Sequence, residues 1–267
     1  MLSLRQALSL NSSRVLGGDF SVYSCVFDGV DESVIVPNAA ALKPVTEMTI
    51  SLWMKPDTWD LSTGGTTQYA IGCIQSGGWG IYLQKAGGST KLKFQVRITD
   101  ITPGCGGSNS YIYAELAAAQ TENLSGWVNV VATYKNGTAT LKYNTSTVGV
   151  TNGAGCSSAT IHYHPTISRP IFIGADASSA TAGSDFFKGN IDEVAIFNEL
   201  VSDSDINSIY NGGTPNDISS ISGLVGWWRM GDPDGPSTFS TIPDASTNSN
   251  NGAMDNMVAG DIVTDVP

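Results

Sequence analysis

Between Lys91 and Ile98 the chain alternates strictly, with Leu92, Phe94, Val96 and Ile98 at one set of positions and Lys91, Lys93, Gln95 and Arg97 at the other. In an extended strand successive side chains point to opposite faces, so a period of two gives one face to bury and one for water. The pattern returns at Ile50, Leu52 and Met54, and again at Val128, Val130, Ala132 and Tyr134. Strands of this kind need a second sheet to cover their apolar faces, which predicts an all-β, two-sheet antiparallel jelly-roll sandwich. Further strands are expected near 22–27, 33–37, 69–75, 79–85, 110–114, 138–143, 170–174, 189–197 and 225–230. Asn136-Gly137 lies between two alternating runs and suits a type I′ hairpin, because both central residues of that turn need positive φ.

One stretch has helical character, near 203–211. Ser202 can cap it, Asp203 and Asp205 suit the positive end of the helix dipole, and Ile206, Ile209 and Tyr210 form one stripe. Gly212-Gly213 would end it. No fixed-period repeat is present, which argues against a solenoid or propeller.

A chain of 267 residues with 41% hydrophobic residues is long enough for one large sandwich. Residues 1–20 read as an N-terminal arm and 21–267 as a single domain. The net charge of -11 repels phosphate backbones, so no nucleic-acid partner is expected. Lys91, Lys93 and Arg97 read as the solvated side of a strand. No apolar run approaches the roughly 20 residues of a membrane-spanning helix, and the first residues lack the uninterrupted core of an export signal. Of the cysteines Cys25, Cys73, Cys105 and Cys156, the last two fall in Gly/Ser-rich loops. Whether Cys105 and Cys156 are bonded stays open.

Several segments together resemble the laminin G-like, pentraxin-like (concanavalin A-like) jelly-roll family. FDGVDESVIVP (Phe27 to Pro37) is similar to its opening strand pair and MTISLWMKPD (Met48 to Asp57) to the next core strand. GWVNVVATYKNGTATLKYN (Gly126 to Asn144) resembles its central hairpin, and GNIDEVAIFNELVSDSDINSIYNGG (Gly189 to Gly213) its strand-then-helix ending. LVGWWRMGD (Leu224 to Asp232) and IPDASTNSNNGAM (Ile242 to Met254) resemble elements that precede the FDG strand in many relatives. Residues 214–267 are therefore expected to supply permuted C-terminal strands.

The family's fold also serves glycoside hydrolases, whose retaining chemistry needs two carboxylates about 5–5.5 Å apart. Their Glu-x-Asp-x-(x)-Glu strand pattern is absent, and Asp192 and Glu193, as neighbours on a strand, should face opposite ways. No enzymatic function is expected. Asp192 should share a face with Val194 and Ile196, where a carboxylate needs a cation or several donors. The resemblance implies a structural calcium on Asp192, with Asp28, Asp31 and Asp244 as candidate partners and Ser246 and Asn248 adding oxygens. The alternative is that Asp28 and Asp244 stabilise turns through Asx hydrogen bonds. His162 and His164 would share a strand face, without further ligands nearby in sequence for zinc. Lectin-like binding would need exposed aromatic rings, for which Trp59, Tyr69 and Trp79, beside Gly-rich loops, are the candidates.

The SIYNGGTPND, LVGWWRMGD and IPDAS layout resembles virion proteins of marine bacteriophages. That implies a virion-surface fibre, adhesin or capsid-decoration protein, assembled in the host cytoplasm, meeting other virion proteins and copies of itself, and attaching to a host-surface glycan. The alternative is an extracellular, calcium-dependent bacterial lectin module. Of Trp227 and Trp228, adjacent on a strand, one should face the core and the other needs separate cover.

Overall fold

Residues 20–62, 66–74, 77–99, 110–147, 160–164, 169–179 and 181–267 are described by the computed structural model of the chain. The first strands are β1 (Ser24–Asp28), β2 (Ser33–Val36), β3 (Glu47–Pro56), β4 (Thr67–Gly72), β5 (Trp79–Ala86), β6 (Ser89–Thr99) and β7 (Ser110–Glu115). After the short helix α1 (Ala118–Thr121) come β8 (Val128–Lys135), β9 (Thr138–Tyr143), β10 (Ser146–Thr147), β11 (Thr160–Ile161) and β12 (Ile171–Ile173). A small hairpin of β13 (Asp176–Ala177) and β14 (Gly183–Ser184) precedes β15 (Lys188–Phe197) and helix α2 (Asp203–Tyr210). The chain closes with β16 (Leu224–Trp228), β17 (Thr241–Ile242), β18 (Gly252–Asp255) and β19 (Ile262–Val263).

Two antiparallel sheets result. The first runs β10-β9-β8-β3-β15-β1-β19, with β16 also on β15; the second runs β11-β6-β5-β4-β12-β2-β18-β17, with β7 also on β6. This is the all-β sandwich that the alternation demands. Asn136 and Gly137 take φ of 46° and 82°, and Lys135 pairs with Thr138 across them, so the turn between β8 and β9 is the two-residue hairpin expected there.

Between the sheets lies one apolar layer. Phe27, Ile50, Leu52, Trp79, Phe94, Val130, Ile191 and Trp228 are all buried in it. Each such side chain contributes roughly 1.5–3 kcal/mol by leaving water. The outer face of the first sheet is covered as well. Ile206 and Ile209 of α2 pack on Val131, Ala195 and Phe197 together with Ile218 and Trp227. Helix α2 forms because the Ser202 side chain accepts from the Asp205 N–H at 3.2 Å, and it stops where Asn211 turns left-handed. Trp227 and Trp228 divide as their adjacency requires: Trp228 enters the layer between the sheets and Trp227 lies under Phe20, the two rings stacked 6.1 Å apart.

The last fifty residues join both sheets. β16 lies along Val194–Phe197 and β19 along Ser24–Cys25 in the first sheet, while β18 pairs with β2 and β17 with β18 in the second. The 1–20 arm, apart from Phe20, and the Cys105 and Cys156 pair lie outside the described residues.

Candidate functional site

With the first sheet covered on both sides, the β5–β7 part of the second sheet's outer face is left uncovered by any helix among the described residues, whereas Ala175, Ala177 and Phe186 pack with Phe172 and Ile35 on its β12–β2 part. On β6 the alternation buries Leu92, Phe94, Val96 and Ile98 and turns Lys91, Lys93, Gln95 and Arg97 outward. β7 pairs with it so that Glu115 faces Lys93, Tyr113 faces Gln95 and Tyr111 faces Arg97. The Lys93 ammonium lies 5.4 Å from the centre of the Tyr113 ring and the Arg97 guanidinium 5.6 Å from that of Tyr111, both within cation–π range. Tyr111 is 44% exposed. Glu115 pairs with Lys91 and, at 3.2 Å, with Lys93. Partial burial raises its pKa, but the two ammoniums outweigh that and hold the carboxyl below its ordinary range.

Next along the face, Tyr82 on β5 bonds the Gln95 carbonyl oxygen and stacks on Tyr69 of β4, with ring centres 4.6 Å apart. The Tyr69 ring lies flat on the sheet because its neighbours are glycines: a Cβ at Gly80 or Gly72 would stand 2.5 Å or 2.8 Å from ring carbons. Among the described residues, the outward positions of β5, β6 and β7 thus combine tyrosines, the Gln84 and Gln95 amides and three cations with a single carboxylate, Glu115.

Of the three aromatic residues expected to be exposed, Tyr69 reaches this face, but stacking leaves it 8% exposed. The expectation of exposure is corrected for the other two as well. Trp79 is fully buried between the sheets, its indole N–H donating to the Tyr163 hydroxyl at 3.2 Å, and Trp59 is also in that layer. Both follow from parity: Trp79 lies in phase with Ile81 and Leu83 on β5. The residues missed, Tyr111 and Tyr113, carried a legible signal, because they alternate with the apolar Ile112 and Ala114.

A second polar group sits on the first sheet's outer side. Asp192, Glu193 and Asp232 are all buried and bring carboxylate oxygens within 4.8 Å of one another. The expectation that adjacent acids diverge fails because β15 bulges between Asp192 and Ala195, with Glu193 at φ 47°. The extra residue also shifts the phase. Ile191 and Val194 both face the core, and Asp192 lies instead on the side of Trp53, its register partner, beneath Ser21.

Every carboxylate oxygen of the group accepts a hydrogen bond. Asp192 takes the Ser21 hydroxyl at 2.6 Å and the Glu193 N–H at 2.7 Å. Glu193 takes Trp227 Nε1 at 2.6 Å and Arg229 Nε at 3.0 Å. Asp232 takes the Val22 and Tyr23 amides at 3.1–3.2 Å and Arg229 Nη2 at 3.4 Å. Burial pushes all three pKa values up: Asp192 well above its ordinary value, with Glu193's charge adding; Glu193 to about 7, against the pull of Arg229 and Trp227; and Asp232 against its amide donors.

The four residues expected to hold calcium do not converge. Asp28 pairs with Lys188, four residues along β15 from Asp192, or ~13 Å at strand spacing. It accepts from the Val30 N–H in a turn, and Asp31 is exposed. Asp244 is taken up by the amides of Trp227, Ser246 and Asn250 at 2.8–2.9 Å, the turn-stabilising alternative, while Asn248 Nδ2 donates to the Val225 carbonyl. The Asp192, Glu193 and Asp232 group has the hard oxygens calcium prefers, but Arg229, the indole and the amides already engage them, so its geometry does not fit an added cation. Among the described residues neither histidine joins a group of three or more ligands, and His162 instead shares a 2.7 Å hydrogen bond with Thr99.

Two antiparallel sheets packed face to face with this strand order make a jelly-roll sandwich. Residues 28–207 match the Laminin_G_3 model of the concanavalin A-like lectin/glucanases superfamily, and the chain belongs to that family. Its fold is similar to that of a Bacteroides ovatus protein with a provisional carbohydrate-binding assignment, at 17% identity and a TM-score of 0.55, over 88% of this chain and 58% of that one. It is similar also to the heptameric SAP-like pentraxin of Limulus polyphemus, at 15% identity and a TM-score of 0.50, over 78% and 91% of the two chains. No curated protein matches the sequence. The chain thus spans little more than half the length of the Bacteroides protein.

Proposed function

We propose that this protein is a non-enzymatic recognition and adhesion module whose β5–β7 face holds a host-surface glycan. Its place is the surface of a bacteriophage particle, among other virion proteins and copies of itself. The observation that carries the binding reading is the set of tyrosines, cations and the Gln95 amide on the β5–β7 face, over which no helix packs among the described residues. Sugar rings stack on aromatic faces while amides and charged groups fix their orientation. Glycoside hydrolysis needs a pair of carboxylates across the sugar, whereas this face offers Glu115 alone, bound to two lysines. The concanavalin A-like fold and the carbohydrate-binding assignment of the Bacteroides protein support the same class. The virion placement rests on the resemblance of the LVGWWRMGD and IPDAS segments to phage virion chains.

A glycan array probed with the full-length chain tests the binding reading, with at least one glycan retained and with retention lost in Tyr111→Ala/Tyr113→Ala. Hydrolysis of β-glucan by the purified protein would overturn the non-enzymatic part. Mass spectrometry of purified phage particles tests the placement. The second reading, an extracellular calcium-dependent bacterial lectin, rests on the same family fold and requires calcium to raise glycan affinity.

A further inference from the structure

Resting on that reading of the β5–β7 face, we infer that the glycan is acidic: an oligosaccharide bearing carboxylate or sulfate groups, laid along β6 over Lys93 and Arg97. The chain carries -11 overall, yet among the described residues on the outward positions of β5–β7 three cations stand with one carboxylate. Such a local reversal of sign in an acidic molecule concentrates an anion at that face.

The cations are also placed for a polymer. Lys93 with Tyr113 and Arg97 with Tyr111 form two ring-and-cation units side by side on the β6–β7 ladder, and Lys93 and Arg97 lie ~13 Å apart along the strand. That span exceeds one sugar ring, so each unit receives a different residue of the chain. Gln95 lies between them and keeps its NH2 donors, because its carbonyl oxygen is taken by the Tyr82 hydroxyl. Glu115 holds Lys91 and Lys93 in place and competes with the ligand's anions for them. A single-stranded nucleic acid has the same two chemistries, rings and anions. With one phosphate per nucleotide it is the denser polyanion, and the chain-wide charge opposes it more.

The test is calorimetric titration of the full-length protein with polygalacturonate, heparin oligosaccharides, laminarin and oligo(dT), at low salt and in 0.5 M NaCl. Polygalacturonate, heparin or both bind, longer oligomers bind more tightly than dimers, and salt weakens the binding. Lys93→Gln and Arg97→Gln each weaken it about tenfold. Glu115→Gln strengthens it, a gain that no folding defect can imitate. Acidic binding untouched by all three substitutions would overturn the inference. So would laminarin binding that Tyr113→Ala abolishes, although the glycan-face reading would then stand. Equal affinity for oligo(dT) would replace the glycan with a nucleic acid, and no binding to any glycan would end both readings.

Discussion

The indole of Trp227 donates to Glu193 Oε2 at 2.6 Å, and the other oxygen of that carboxylate receives Arg229 Nε at 3.0 Å. Arg229 also reaches the Phe20 carbonyl at 2.8 Å and lies 4.0 Å over the Phe20 ring, which itself stacks on Trp227. This knot ties residues 20–23 to the bulge of β15 and to the end of β16. Arg229 is the cation that offsets a group of three buried carboxylates.

Removing that cation should therefore be costly. At about pH 8, above the range in which Glu193 holds its proton, Arg229→Met leaves Glu193 and Asp232 buried without a positive partner, and a loss of about 3–5 kcal/mol in urea unfolding is expected. A loss below about 1 kcal/mol would show that the acids are neutral in the folded state.

The same group sets a pH dependence. Burial raises the folded pKa of Glu193 from 4.5 to about 7 and raises Asp192 and Asp232 as well, so the native state keeps protons that the unfolded chain has released. Stability then falls as pH rises from about 4.5 to about 7. Below that window the trend reverses. Glu115 and Asp265 are raised by partial burial but lowered further by their lysines, and protonation removes that support. Melting temperature against pH reads this directly, and Glu193→Gln should flatten the fall; an unchanged slope in that variant would place its origin elsewhere.

Trp79→Ala separates packing from ligand contact. The ring is fully buried between the sheets, so truncation should cost about 3–5 kcal/mol by thermal or chemical denaturation. An unaltered melting temperature with lost glycan binding would return Trp79 to the ligand site.

Chelation is expected to be silent. Asp28, Asp31 and Asp244 stand apart from Asp192, and the Asp192, Glu193 and Asp232 oxygens have protein donors. Excess EGTA should leave the melting temperature unchanged, whereas a drop of several degrees that calcium reverses would show a resident ion.

Local periodicity made most strands legible. β6, β8 and β9 follow from alternation and from Asn136-Gly137, and α2 from Ser202 and its apolar stripe. The site was less legible for two physical reasons. A bulge adds a residue without a mark in composition, so neither the phase of Asp192 nor its meeting with Glu193 and Asp232 could be counted out along β15. The face of Lys93 and Arg97 was visible as polar, but its tyrosines arrive from β7 across the ladder, and a single strand does not state its partner.

The strands that follow α2 fix where the domain can be cut. Trimming at the family boundary near residue 207 would strip β16 and β19 from one sheet and β17 and β18 from the other. β2 would then present unpaired amides and carbonyls along a side normally occupied, and β1 and β15 would lose partners too. Bare strand edges recruit other chains. An expression fragment ending there is thus destined for inclusion bodies, and soluble yield should return once the chain extends through Val263.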